Sequence, residues 1–168
     1  LQTLATAVLA CVQDGRLVID AATQGLDGLA ALRELFPDGR LVLRDVTVDR
    51  QDRSLAIRGT SDVNLTIPGA PGLALADTQL AIAVRARSSG FGVRLAAQTA
   101  TPWTLLADRL TLHDVQLELE LGNDGSGART LSGGVDCTAV LGGRGYRAHV
   151  ALDGTSTVRI GIEAPVEA

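Results

Sequence analysis

Hydrophobic and polar residues alternate along much of the chain, and in one stretch the alternation changes phase. In "RLTLHDVQLELEL" (109–121), Leu110 and Leu112 fall on even positions, whereas Val115, Leu117, Leu119 and Leu121 fall on odd ones. Strand side chains point to opposite faces with period two, so a slip of one residue sends everything after it to the other face. The same switch occurs twice more. "RLVLRDVTVD" (40–49) passes from Leu41 and Leu43 to Val46 and Val48, and "GLALADTQLA" (72–81) passes from Leu73 and Leu75 to Leu80, followed by Ile82 and Val84. Each switch falls at an aspartate (Asp45, Asp77 or Asp114) in a shared Leu-x-Leu-x-Asp-x-x-apolar pattern. A β-bulge, or a corner between two strands, resets the phase in this way. Asp suits the step because its carboxylate accepts a hydrogen bond from a nearby backbone N–H.

The copies mark approximate internal repeats at 40–71, 72–108 and 109–152 within a single β-rich domain. Downstream, "IRGTSDVNLTIPG" (57–69) aligns without gaps to "LSGGVDCTAVLGG" (131–143), which sets Gly59 on Gly133 and Asp62 on Asp136. A leucine-rich repeat would want Asn where Val46 and Val115 stand and a shorter period, so it is set aside. "SLAIRG" (54–59) and "LAIAVRAR" (80–87) alternate cleanly, and Gly-rich turns such as "GGRG" (142–145) separate the segments. The Asp14-Gly15 turn suits a hairpin between "TAVLACV" and "GRLVIDA" (15–21). The prediction is a mainly β fold: an antiparallel sheet or sandwich, or stacked β-repeat units. One short covering helix is expected at about 26–36, where Leu26, Leu29, Leu32, Leu35 and Phe36 recur near helical spacing before Pro37 and Gly39. "TPWTLLADRL" (101–110) holds the corresponding place before the third copy and is assigned a short helical turn.

Composition bounds the rest. A chain of 168 residues, 46% of them hydrophobic, suffices for a core without disulfide staples. All 15 basic residues are Arg, so lysine Schiff-base and phosphate-loop lysine chemistry is excluded. The Arg, Ala, Gly and Val bias points to a GC-rich bacterial genome. The formal charge of −4, without a basic stretch and with few aromatics, disfavours nucleic acid and anionic membrane surfaces. "LATAVLACV" (4–12) is too short for a transmembrane segment and is read as a core strand or helix. Cys11 and Cys137 share no metal-type spacing and are read as buried thiols. With no Met, the chain is read as a fragment of a longer one, secreted or part of a large assembly.

Candidate chemistry is sparse. His113, Asp114 and His149 are the catalytic candidates, yet neighbours on a strand point to opposite faces, so His113 and Asp114 form a dyad only if a bulge realigns them. His149 alternates out of phase with Tyr146, Ala148, Val150 and Leu152 and is placed on the solvent side. Asp45, Asp77 and Asp114 are the metal-ligand candidates if the repeats stack them along one edge. "GNDGSG" (122–127) is read as a hairpin loop rather than a calcium turn. Glu118 and Glu120 share the polar side of a strand, and Arg85, Arg87 and Arg94 form a solvated face. No cofactor is implied. The expected function is a non-catalytic β-repeat structural or binding module of a larger bacterial protein, with protein partners or self-association through its sheet edges. The alternatives are a carrier or groove for an apolar ligand such as a lipid or isoprenoid, and a hydrolase with a His/Asp site.

Overall fold

The computed structural model describes residues 2–23, 29, 32–33, 36–51, 53–62, 78–87, 90–99, 102–106, 110–123, 129–152 and 158–165. A helix α1 (Gln2–Cys11) leads into strands β1 (Val12–Gln13), β2 (Arg16–Ile19), β3 (Leu41–Gln51) and β4 (Ser54–Ser61). They are followed by β5 (Gln79–Arg87), β6 (Gly90–Thr99), β7 (Trp103–Leu106), β8 (Leu110–Asn123), β9 (Arg129–Leu141), β10 (Arg144–Leu152) and β11 (Val158–Pro165). All eleven belong to one antiparallel sheet in chain order, with β7 off the path and paired to β8 beside β6. The fold is therefore mainly β with one short α-helix among the described residues, as the alternation predicts.

That helix is not the one expected. Residues 2–11 are α-helical, with Leu4, Ala5 and Val8 turned inward one turn apart, so "TAVLAC" supplies a helix and only Val12 and Gln13 join the hairpin through Asp14-Gly15. Asp14 and Gly15 both have positive φ (50° and 73°), the geometry of a tight two-residue hairpin turn. Most of the segment at about 26–36 lies outside the described residues. Its Leu29, Leu32 and Phe36 are buried in the core. Trp103–Leu106 forms strand β7 instead of a helical turn, because it pairs with Leu110–Leu112.

The phase switch has its physical cause in the backbone. The β3–β4 register jumps between Arg44 and Thr47, so Asp45 and Val46 together oppose Gly59. The β8–β9 register jumps between His113 and Gln116, so Asp114 and Val115 together oppose Cys137. Asp45 and Asp114 sit at φ of 51° and 52°, the left-handed region normally left to glycine in such a bulge. Asp is among the few side chains that enter it at small cost. In both places a four-residue strand pairs with the Leu-x-Leu part: β2 with Leu41–Leu43, β7 with Leu110–Leu112. Asp77 lies outside the described residues. The gapless downstream alignment does not survive the register, because the partner of the second bulge is Cys137 where the alignment offers Gly133.

One face of the sheet is apolar and buried: Leu55 and Ile57 on β4, Leu80, Ile82 and Val84 on β5, Val93 and Leu95 on β6, Leu117 and Leu119 on β8, Val135 and Cys137 on β9. These residues form one continuous core with α1, Leu29, Leu32 and Phe36. A ten-residue helix is about 15 Å long and spans only a few strands at ~4.8 Å each. Between β8 and β9, a Cβ on Gly133 (φ 147°) would lie 2.0 Å from the Glu118 carbonyl oxygen, so only glycine fits. Arg16, at 3.1 Å, and Arg44 both pair with Asp62, whose N–H donates to the Val42 carbonyl, tying β2, β3 and the end of β4 together.

The left-handed bulge sets a direct test. Asp114→Val should lower stability by about 1–2 kcal/mol, because a β-branched side chain bears the full cost of positive φ. Asp114→Gly should fall within about 1 kcal/mol of the parent, since relief of strain offsets the freer unfolded chain. Urea denaturation with an unchanged m-value reads both; equal losses for the two variants would show that the carboxylate, not the backbone, sets the bulge.

Candidate functional site

The outer face of the sheet carries the polar chemistry. A single cross-strand row runs through Thr60, Gln79, Gln98, Gln116, Asp136 and His149, each residue the register partner of the next. Ala81 and Ala96 lie in the next row, where small side chains leave a trough beside the glutamines. The twisted surface forms a cleft of about 690 Å³ here, bounded by Arg58, Glu118 and the two end carboxylates Asp45 and Asp136.

The row ends in a histidine–carboxylate pair. His149 Nδ1 lies 2.7 Å from Asp136 Oδ1. The side chains are 54% and 70% exposed. The imidazole lies over Gly134: a Cβ there would come within 2.8 Å of Cε1 and 3.3 Å of Nε2. A second cleft of about 480 Å³ surrounds the pair, with Asp114, Thr138, Arg147 and Glu163 on its walls. An acid on Nδ1 orients the ring and leaves Nε2 open as a proton acceptor or donor, which is half of a nucleophile-activating arrangement. The nearest thiol, Cys137, points to the opposite face, where its Sγ lies 3.7 Å from the Ala148 carbonyl. Among the described residues no hydroxyl or thiol hydrogen-bonds to His149.

The other candidates are placed apart. His113 is half-buried on β8 and is the register partner of Thr138, and no ion pair joins it to Asp114 among the described residues. The bulge exposes Asp114 to the second cleft. Asp45 on β3 and Asp114 on β8 are separated by β4, β5 and β6, four strand spacings or about 19 Å along the sheet. Asp77 and residues 124–127 of the "GNDGSG" loop lie outside the described residues. No group of three or more His, Cys, Asp or Glu among the described residues is arranged to hold a metal ion. Arg94 pairs with Glu118 at 2.5 Å, and this pair raises the guanidinium pKa, first through the hydrogen bond and then through charge. It is a well-solvated surface pair of small individual worth.

Asp136, Arg147 and Glu163 are the site residues that the sequence reading missed. A signal for the first was present. Gly142 and Gly143, with φ of 57° and 78°, make a two-residue turn between β9 and β10. Such a turn fixes the register of the whole hairpin. Counting outward from it by equal steps sets Asp136 opposite His149.

Cys11 and Cys137 are both free thiols. Burial, and then the adjacent Asp136 carboxylate, push the Cys137 thiol above its ordinary value. The folded state therefore holds a proton that the unfolded chain releases, and stability falls as pH rises through the unfolded thiol's range of about 8.5–9. Urea midpoints between pH 7 and pH 10 should drop less in Cys137→Ala than in the parent; an identical pH profile would contradict the assignment. Comparison with protein-family models, with curated proteins and with solved structures finds no match.

Proposed function

We propose that the chain is a non-catalytic structural or binding module of β-repeats, and that it works by accepting a further strand at its β11 edge. One observation carries the reading: the apolar side of the sheet runs beyond its cover at this edge. Ile162 is the register partner of buried Ala148, so it belongs to the apolar face, yet it is 59% exposed. Leu141, at the end of β9 in phase with Cys137 and Ala139, is 40% exposed. β11 pairs only with β10 among the described residues, which leaves a row of backbone donors and acceptors on its other side. A strand laid there satisfies those groups and extends the apolar cover together. The like-placed bulges at Asp45 and Asp114, each beside a short strand, support a repeated unit.

The carrier reading has support in the same place. Small Ala139 and Ala148 lie beside exposed Leu141 and Ile162, where an acyl or isoprenoid chain would find apolar contact. Deeper in, Ile57, Leu95 and Leu119 already fill the face and are fully buried, which favours the module. For the hydrolase reading, His149 and Asp136 supply an oriented base.

Native mass spectrometry of protein purified without detergent separates these readings. The expected result is the bare polypeptide mass, alone and in multiples, with the multiples lost in Ile162→Asp. A retained mass in the lipid range, lost in the same variant, would overturn the module in favour of the carrier.

A further inference from the structure

We propose that the partner strand is the β11 of a second copy, paired antiparallel about a two-fold axis through Gly161; this rests on the reading of β11 as the working edge. The central residues of β11 read Arg159-Ile160-Gly161-Ile162-Glu163. In an antiparallel self-pairing centred on Gly161, Ile160 falls opposite the second copy's Ile162, and Arg159 falls opposite the second copy's Glu163. Directly opposed residues share a face of the joined sheet. The register with β10 fixes the face of the residues from Val158 to Ile162. Ile160 and Ile162 are partners of Val150 and Ala148 on the apolar side, whereas Arg159 and Gly161 are partners of Ala151 and His149 on the polar side. Glu163 is exposed on the wall of the second cleft, on that polar side. Self-pairing therefore joins the two apolar faces into one through paired isoleucines. It also places two identical Arg–Glu pairs on the polar face, as two-fold symmetry requires.

Other registers lose this match. Shifting the centre to Ile160 sets Arg159 against Gly161, and shifting it to Ile162 sets Glu163 against Gly161. A centre on Arg159 or on Glu163 opposes like charges, which is unfavourable across a strand pair. Pro165 closes the strand at its far end, where its missing N–H cannot extend the ladder. The β11–β10 register is continuous from Val158 to Ile162 and shifts between Ile162 and Pro165, where Glu163 still faces the second cleft.

The charges give a test by exchange, read by sedimentation equilibrium with circular dichroism as the check on folding. The parent should show a concentration-dependent monomer–dimer equilibrium. R159E and E163R should each weaken it about tenfold or more, because each turns both Arg–Glu pairs into like-charge pairs. Mixing the two variants in equal amounts should restore a heterodimer. The carboxylate introduced in one copy then faces the guanidinium introduced in the other, and the unaltered Glu163 of the first faces the unaltered Arg159 of the second. The double exchange R159E/E163R should likewise restore the homodimer. A parent dimer insensitive to both charge reversals, or a mixture no tighter than either variant alone, would overturn this pairing. If Ile162→Asp still dissociates that dimer, the β11 edge stands and only the register falls; if it does not, the edge reading falls too. A parent that is strictly monomeric at high concentration overturns self-pairing and leaves strand addition by a different partner.

Discussion

Along a β-strand each added residue turns its side chain to the opposite face, so one extra residue exchanges faces for everything beyond it. The sheet depends on how this rule is reconciled with long strands whose apolar side must stay on one face. β8 runs for fourteen residues and contributes to the core on both sides of Asp114, from Leu112 and then from Val115 to Leu121. It does so because Asp114 takes up the surplus residue in a left-handed conformation. The bulge also changes the neighbour: before it β8 is paired by β7, after it by β6. At Asp45, β2 pairs the residues of β3 before the bulge and β4 pairs β3 on both sides of it. At Asp114 the register shift and the change of partner coincide, and the buried residues on either side belong to one continuous cluster.

The two faces divide the work. The inner one is Leu, Ile and Val at nearly zero exposure, each worth roughly 1.5–3 kcal/mol when fully buried. The outer one carries amides, hydroxyls and charges in register, with its titratable pair at the β9–β10 end. Exposed pairs of this kind add little to stability, so the outer face is free to vary without unfolding the inner one.

What could be read from the sequence follows from how local each signal is. The strands at 54–61 and 79–87 were legible because alternation needs only a few adjacent residues. The steps at Asp45 and Asp114 were legible because a phase change is also local. The α-helix at 2–11 was ambiguous because a short apolar run fits either helix or strand, and tertiary packing of Leu4 and Val8 decides it. Trp103–Leu106 was misread as a helical turn because its strand state depends on pairing with β8, which no local pattern announces. The aligned glycines, Gly59 and Gly133, proved to hold different register positions, since a matched letter carries no pairing information by itself. The His149–Asp136 pair was hidden because it arises across strands, although the Gly142-Gly143 turn contained the count needed to find it.

Strand order in space follows strand order in the chain, with only β7 beside the path. Several neighbouring strands, β3–β4, β5–β6 and β9–β10 among them, are joined by two-residue connections, so these pairs can form early. The chain can be laid down from its amino-terminal end, each new hairpin finding a finished edge already in place. Growth of this kind has no built-in stopping point. Every completed strand is also a template, and among the described residues β11 is paired on one side only.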